Sequence, residues 1–341
     1  MNLTLRSCAI CLAAVCSIAA FGEPAPHQGL FAVVRNHGLN RLEELASKQE
    51  LDGITFYTGM RVVAPRKGEY NFADIDRVLK TAAAHGKKVN LGILPGRWVP
   101  EWIYGEGVQK FEWTHDTNLV DPGRSRVASP YPWDPQLLKI LSAMLREIGN
   151  RYTSDPALVS VQVIGPAMTN GLEANFNMTP EEAAQMGYAP EKLIDAWKQM
   201  FRATAEAFPN QRLSWCIHDM YPGKRDAVPG RAIRDWAYAQ YGSRFHLLAC
   251  YLTHENWFAR GNQAVDIWGE KTPPIPAGLQ LINIYSYQKH SPEVFRDALR
   301  RGLDNGADYL EVFAEDALHP AYSPVLAEIR KELAKKNAAR Q

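Results

Sequence analysis

The chain has 341 residues, 46% of them apolar, with 38 lysines and arginines against 37 aspartates and glutamates. That is enough apolar material for one sizeable core. A near-zero balance with no basic stripe excludes a partner held mainly by charge, nucleic acid above all.

In chain order, residues 1–22 read as a secretory signal peptide: one charge at Arg6, apolar residues to Ala20, then Ala20-Phe21-Gly22 ahead of Glu23. The apolar stretch is short for a membrane span. Cleavage near Gly22 removes Cys8, Cys11 and Cys16; the 38 basic residues less Arg6 leave 37 against 37 acidic. The expected location is secreted or periplasmic.

Eight short apolar runs follow, starting at Gly29, Leu51, Lys88, Leu158, Arg212, Phe245, Leu279 and Ala307, each ending in a polar or aromatic cluster. Between them, Leu39 to Gln49, Asp74 to His85, Pro135 to Tyr152, Pro190 to Phe208, Gly230 to Tyr241, Pro292 to Asn305 and Ser323 to Lys336 carry apolar residues at helical spacing. Only after the sixth run is a helix hard to place. Strand alternating with helix eight times predicts an α/β fold, a (β/α)₈ TIM barrel, as a single domain over residues 23–341. Cys216 and Cys250 fall in the fifth and sixth runs and read as buried thiols on neighbouring strands.

That fold gathers its chemistry at the C-terminal ends of the strands. The two longest excursions there run from Pro95 to Asp134 and from Gly165 to Pro190. The first holds Arg97, Trp98, Trp102, Trp113 and Trp133, a density of indoles that core packing does not require of a loop. Flat aromatic faces stack on the apolar faces of sugar rings. Trp98 and Trp102, flanking Pro100-Glu101, are the expected sugar contacts, whereas Trp113 and Trp133 serve equally well to pin the loop to the barrel. Asn36, His218 and Asp219, His254, Glu255 and Trp257, and Tyr285 and Tyr287 complete a ring of polar and aromatic strand ends suited to orienting a ligand.

The stretch from Gly53 to Ile103 resembles the second and third βα units of clan A glycoside hydrolases, particularly the family 42 β-galactosidases. Arg61, Pro65, Gly68, Tyr70, Phe72 and Asp76 match its loop and helix start, and Pro100 and Trp102 its Pro-x-Trp turn. The resemblance implies cleavage of O-glycosidic bonds by two glutamates, a general acid/base after strand four and a nucleophile after strand seven. Here the fourth run ends in Gly165-Pro166 and its first carboxylate is Glu173, while the seventh ends in Tyr285-Ser286-Tyr287-Gln288 with none before Glu293. Glu293 reads as a residue of the next helix's capping turn.

The substitute lies in the eighth run, where period-two alternation sends Glu311, Phe313 and Glu315 to one face and Leu310, Val312 and Ala314 to the other. Glycoside cleavage needs two carboxyls flanking one bond, one protonated and one ionised. Glu173 with Glu311 is the expected catalytic pair, Glu255 the reserve, and Glu315 a binding residue; the competing use of Glu311 is an ion pair with Arg35 or Arg61. No Gly-x-Ser-x-Gly, phosphate-binding glycine loop or His-x-x-x-His spacing points to a serine hydrolase, a nucleotide cofactor or a metal. No cofactor is expected, and the expected partner is a carbohydrate. Two other readings stay open: a catalytically silent glycan-binding barrel, and a carbohydrate lyase using Tyr285 or His254 as base.

Overall fold

The computed structural model describes residues 24–114, 126–165, 167, 171–173, 180–218, 227–256, 258–259, 261–270 and 275–339. Residues 1–22, expected to be a signal peptide, and Asp219 and Trp257 lie outside the described residues, as does the side chain of Trp113. Eight parallel strands close into a barrel: β1 (Gly29–Arg35), β2 (Gly53–Gly59), β3 (Lys88–Leu94), β4 (Leu158–Gln162), β5 (Arg212–Ile217), β6 (Phe245–Leu252), β7 (Ala277–Leu281) and β8 (Tyr309–Phe313), each beside its sequence neighbours, with β8 returning to β1. Buried on both faces, such strands need continuous apolar runs rather than alternating ones, and these have them.

The outward set, with Leu30, Ala32, Ile54, Phe56, Val89 and Leu91 among it, packs under the surrounding helices. Those helices include Ala73–Ala84, Pro135–Tyr152, Pro190–Ala207, Ala227–Tyr241, Pro292–Asp304 and Ser323–Ala338, within a few residues of the expected spans. Pro135–Tyr152 shows how a start is fixed: proline opens it, and the Asp134 carboxylate accepts the backbone N–H groups of Gln136 and Leu137. The first expected helix is instead a 3₁₀ turn, Asn36–Arg41, followed by Leu42–Ser47, and the doubtful sixth position holds Gln263–Gly269.

Inside the ring, bulky aromatics are accommodated by glycines on adjacent strands. A Cβ on Gly92 would lie 2.5 Å from the Tyr57 ring, and one on Gly278 only 2.1 Å from the Tyr309 ring. The base, below the strand starts, is closed by His27, which is 0% exposed, stacked 3.8 Å from Tyr309 and edge-on to Phe31. Burial and then the nearby Arg212 charge push the His27 pKa down to about 3, and burial also lowers that of His246 beside it, so both rings are neutral near pH 7. Arg212 donates to the carbonyls of Pro24, Ala25 and Ser243, tying the segment before β1 across this end.

Two strands end sooner than their apolar runs predict. β7 stops at Leu281, so Tyr285 and Tyr287 belong to the turns beyond it. β8 stops at Phe313, and the chain winds into a helical turn, Ala314–Ala317, so the expected alternation does not reach Glu315. The long third loop contains a two-stranded antiparallel ribbon, Lys110–Thr114 with Arg126–Pro130.

Candidate active site at the barrel mouth

Glu173 reaches the mouth because the loop after β4 turns back onto the barrel, where the backbone of Glu173 pairs with that of Cys216 on β5. The return passes over the end of β3 at Gly171 (φ +79°), where a Cβ would lie 2.6 Å from the backbone nitrogen of Pro95; only glycine satisfies both the left-handed backbone and the close approach. The Glu173 side chain is 14% exposed, and Nε2 of His218, just past the end of β5, stands 3.9 Å from its Oε1. Leu172 packs into the upper interior with Val33, Tyr57, Leu94, Cys216 and Cys250, against which Trp98 and Phe313 lean.

Beneath Glu173 the Cys216 and Cys250 thiols are free and 3.2 Å apart. One oxygen of the Glu173 carboxylate and the two sulfurs all lie within 4.8 Å of one another. Burial raises both thiol pKa values, that of Cys250 strongly, and the charges of Glu173 and Glu311 add to the rise. The thiols are therefore protonated at neutral pH.

Glu311 is placed differently from the expectation that it faces the cleft. Leu310 and Val312 turn to the helices and Glu311 inward, as alternation requires, but its carboxyl lies inside the barrel and is 0% exposed. It accepts hydrogen bonds from Thr55 Oγ1 at 2.6 Å, Asn90 Nδ2 at 3.1 Å and Tyr57 OH at 3.4 Å, all neutral donors. The competing ion pair with Arg35 or Arg61 is not formed either. Burial pushes the Glu311 pKa up to about 7 against the opposing pull of those hydrogen bonds. A group that must touch a glycosidic bond has to meet the substrate, and this carboxyl is sealed from it.

The loop after β3 divides its tryptophans between two tasks. Trp102 donates its indole N–H to the Ala64 carbonyl at 2.9 Å and packs on the outer core, so it anchors the loop rather than forming a sugar wall. Trp133 likewise packs on the outer core, with Tyr188 at 5.6 Å. Trp98 stays at the mouth, its indole flanked by the guanidinium groups of Arg61 at 4.6 Å and Arg97 at 4.8 Å. At the mouth the loop thus presents a cation–π cluster rather than bare indoles.

Other expected contacts are already engaged. Asn36 donates to Asp74 in the first turn of helix Ala73–Ala84. Tyr285 is buried, its hydroxyl shared among the backbone N–H and Nδ1 of His254 and Thr253 Oγ1. Burial raises its pKa. Glu255, beyond β6, is exposed, with Arg301 donating to its carbonyl; Glu315 is half-buried and Tyr287 is 69% exposed. Asp316 was not legible in the sequence: it is fully buried and accepts the backbone N–H groups of Tyr285 and Ser286, shaping the loop after β7. Its signal would have been a helical turn following Phe313.

The sequence profile of glycoside hydrolase family 42, described as β-galactosidase, matches residues 53–171. A sequence search of curated proteins finds no match. Among solved structures, the chain is similar to the catalytic domain of β-amylase from Paenibacillus polymyxa, with 9% identity over 92% of this chain and 100% of that one and a TM-score of 0.62. It is also similar to β-galactosidase from the psychrophilic Marinomonas ef1 (11% identity, 92% of this chain, 60% of that one, TM-score 0.59) and to an exo-β-1,4-mannosidase from Opitutaceae bacterium strain TAV5 (13%, 91%, 60%, TM-score 0.56). The chain thus spans 60% of the length of those two proteins. At such identities the likeness is one of fold, a single (β/α)₈ barrel, with family 42 resemblance running from β2 through β4 to Gly171.

Two outcomes follow from this geometry. Trp102→Ala should lower stability by about 2 kcal/mol or more, since it empties a half-buried site and orphans the Ala64 carbonyl; urea unfolding measures it, and an unchanged midpoint would return Trp102 to the mouth. For Glu311, a folded pKa of about 7 against 4.5 unfolded means that stability is fully present below pH 4.5 and falls as pH rises through 7, by on the order of 3 kcal/mol in all. His27 acts with the opposite sign, losing stability as pH falls from 6.5 toward 3. The difference between the wild type and Glu311→Gln isolates the glutamate: relative to wild type, the glutamine variant should gain stability between pH 5 and pH 8. A pH-independent difference would overturn the assignment.

Proposed function

We propose that the chain is a glycosidase that cleaves O-glycosidic bonds of an oligo- or polysaccharide, with Glu173 as the proton donor to the leaving oxygen. The observation that carries this reading is the return of the strand-four loop to β5, which sets one largely shielded carboxylate beside His218 in the barrel mouth. Family 42 resemblance in the adjoining units supports it. Glu255, exposed beyond β6, takes the place of Glu311 as the second carboxyl. Arg61, Arg97 and Trp98 form one wall of the glycan site, with guanidinium donors reaching sugar hydroxyls beside the indole. The similar proteins are named for different activities, β-amylase, β-galactosidase and exo-β-1,4-mannosidase, so this reading names the substrate only as an oligo- or polysaccharide.

A second reading, a silent glycan-binding barrel, is favoured by one observation: the strand-eight glutamate is sealed inside. Both are tested by screening the purified protein against a panel of aryl glycosides and polysaccharides. Glycosidase action requires Glu173→Gln to lower kcat by about 10² to 10⁴ while leaving glycan binding and melting temperature near the wild type. Glycan binding without turnover by the wild type would select the silent barrel, and full activity in the glutamine variant would remove Glu173 from the chemistry. Residues 1–22 are an export signal in this reading, and mass spectrometry of exported protein should find Glu23 at the mature N-terminus; an intact Met1 in that fraction would count against cleavage.

A further inference from the structure

The thiols of Cys216 and Cys250 and the carboxylate of Glu173 converge from β5, β6 and the loop after β4 onto one small volume just under the barrel mouth. Packing alone asks for apolar atoms here. The interior around them is filled by Val33, Leu94, Leu172 and Leu248, yet this one spot collects two sulfurs and a carboxylate. We propose that Cys216, Cys250 and Glu173 are the protein ligands for one thiophilic divalent cation of the zinc class.

The geometry is close to what such an ion requires. Zinc–sulfur bonds of about 2.3 Å at a tetrahedral angle place two sulfurs about 3.8 Å apart. The thiols stand at 3.2 Å, so the two side chains need only open slightly. Donor type sets selectivity: two sulfurs favour zinc over magnesium or calcium, which take oxygen ligands. The imidazole of His218 lies beside the Glu173 carboxylate at 3.9 Å and is a quarter exposed, so the ion has an entry path from the mouth past these two residues. On binding, each thiol gives a proton to solvent as its sulfur–metal bond forms, two protons per ion, and the dication offsets the charge that burial otherwise forbids.

The site goes beyond the glycosidase reading but shares Glu173 with it. A carboxylate held by the cation cannot deliver a proton, so the ion would act as a reversible inhibitor of that chemistry. The measurement does not depend on activity, so either idea can fail alone.

The test is an anaerobic titration of the reduced mature protein, residues 23–341, with cobalt(II), in which Cys216 and Cys250 are the only thiols. One ion per chain should bind, with a thiolate-to-cobalt charge-transfer band, release of the two thiol protons together with any proton carried by Glu173, and bleaching by one equivalent of zinc. Zinc should also raise the melting temperature. Adding Cys216→Ser should abolish the band, and Glu173→Gln should keep it while weakening affinity by about 10- to 100-fold, as loss of a supporting ligand does. Absence of a saturable band in the protein that retains both thiols would overturn the site whatever the variants do, and so would binding that survives Cys216→Ser with Cys250→Ser.

Discussion

Eight strands close around an interior just wide enough to be filled by their own side chains, and what fills it governs the rest of this molecule. The filling is unusually polar at mid-height. Thr55, Asn90, Ser160 and Ser214 point inward from four adjacent strands, and Glu311 enters from the far side to take hydrogen bonds from Thr55 and Asn90. A carboxyl in that position is tolerable because neutral donors meet it and because its proton is retained until about pH 7. Above it, Tyr57, Cys216 and Cys250 form the floor of the mouth, so the depth at which a ligand stops is set by the layer that covers Glu311.

The mouth that results is asymmetric. On the side of β2 and β3 it presents positive charge around an indole, through Arg61, Arg97 and Trp98. On the side of β4 and β5 it presents Glu173 and His218 over two thiols. The two walls therefore differ in charge, with guanidinium donors along one and a carboxylate on the other.

Much of this was legible from the chain alone. Eight apolar runs gave the barrel, because parallel strands buried on both faces leave an unbroken signature, and proline with Asp134 or Ser291 marked helix starts. Glu173 stood out as the first carboxylate after the fourth run. The direction of Glu311 followed from alternation, but its depth did not: period two gives the face of a strand and says nothing of how many layers lie above it. Glu315 was misplaced because the run continued in composition after the backbone had turned helical at Ala314. The two tasks of Trp98 and Trp102 were equally hidden, since both residues are four positions apart in one loop and only the Ala64 carbonyl distinguishes them. Convergence of Cys216 and Cys250 on Glu173 depends on a loop folding back from β4, which no local spacing encodes.

The closure of the base by His27 and Arg212 also fixes how the barrel is held. Because Arg212 grips the carbonyls of Pro24 and Ala25, residues 24 and 25 are held at the end opposite the mouth. A group joined to the chain at that end would be separated from the mouth by the full height of the barrel. Holding the barrel by that end therefore leaves the open mouth facing away from whatever holds it.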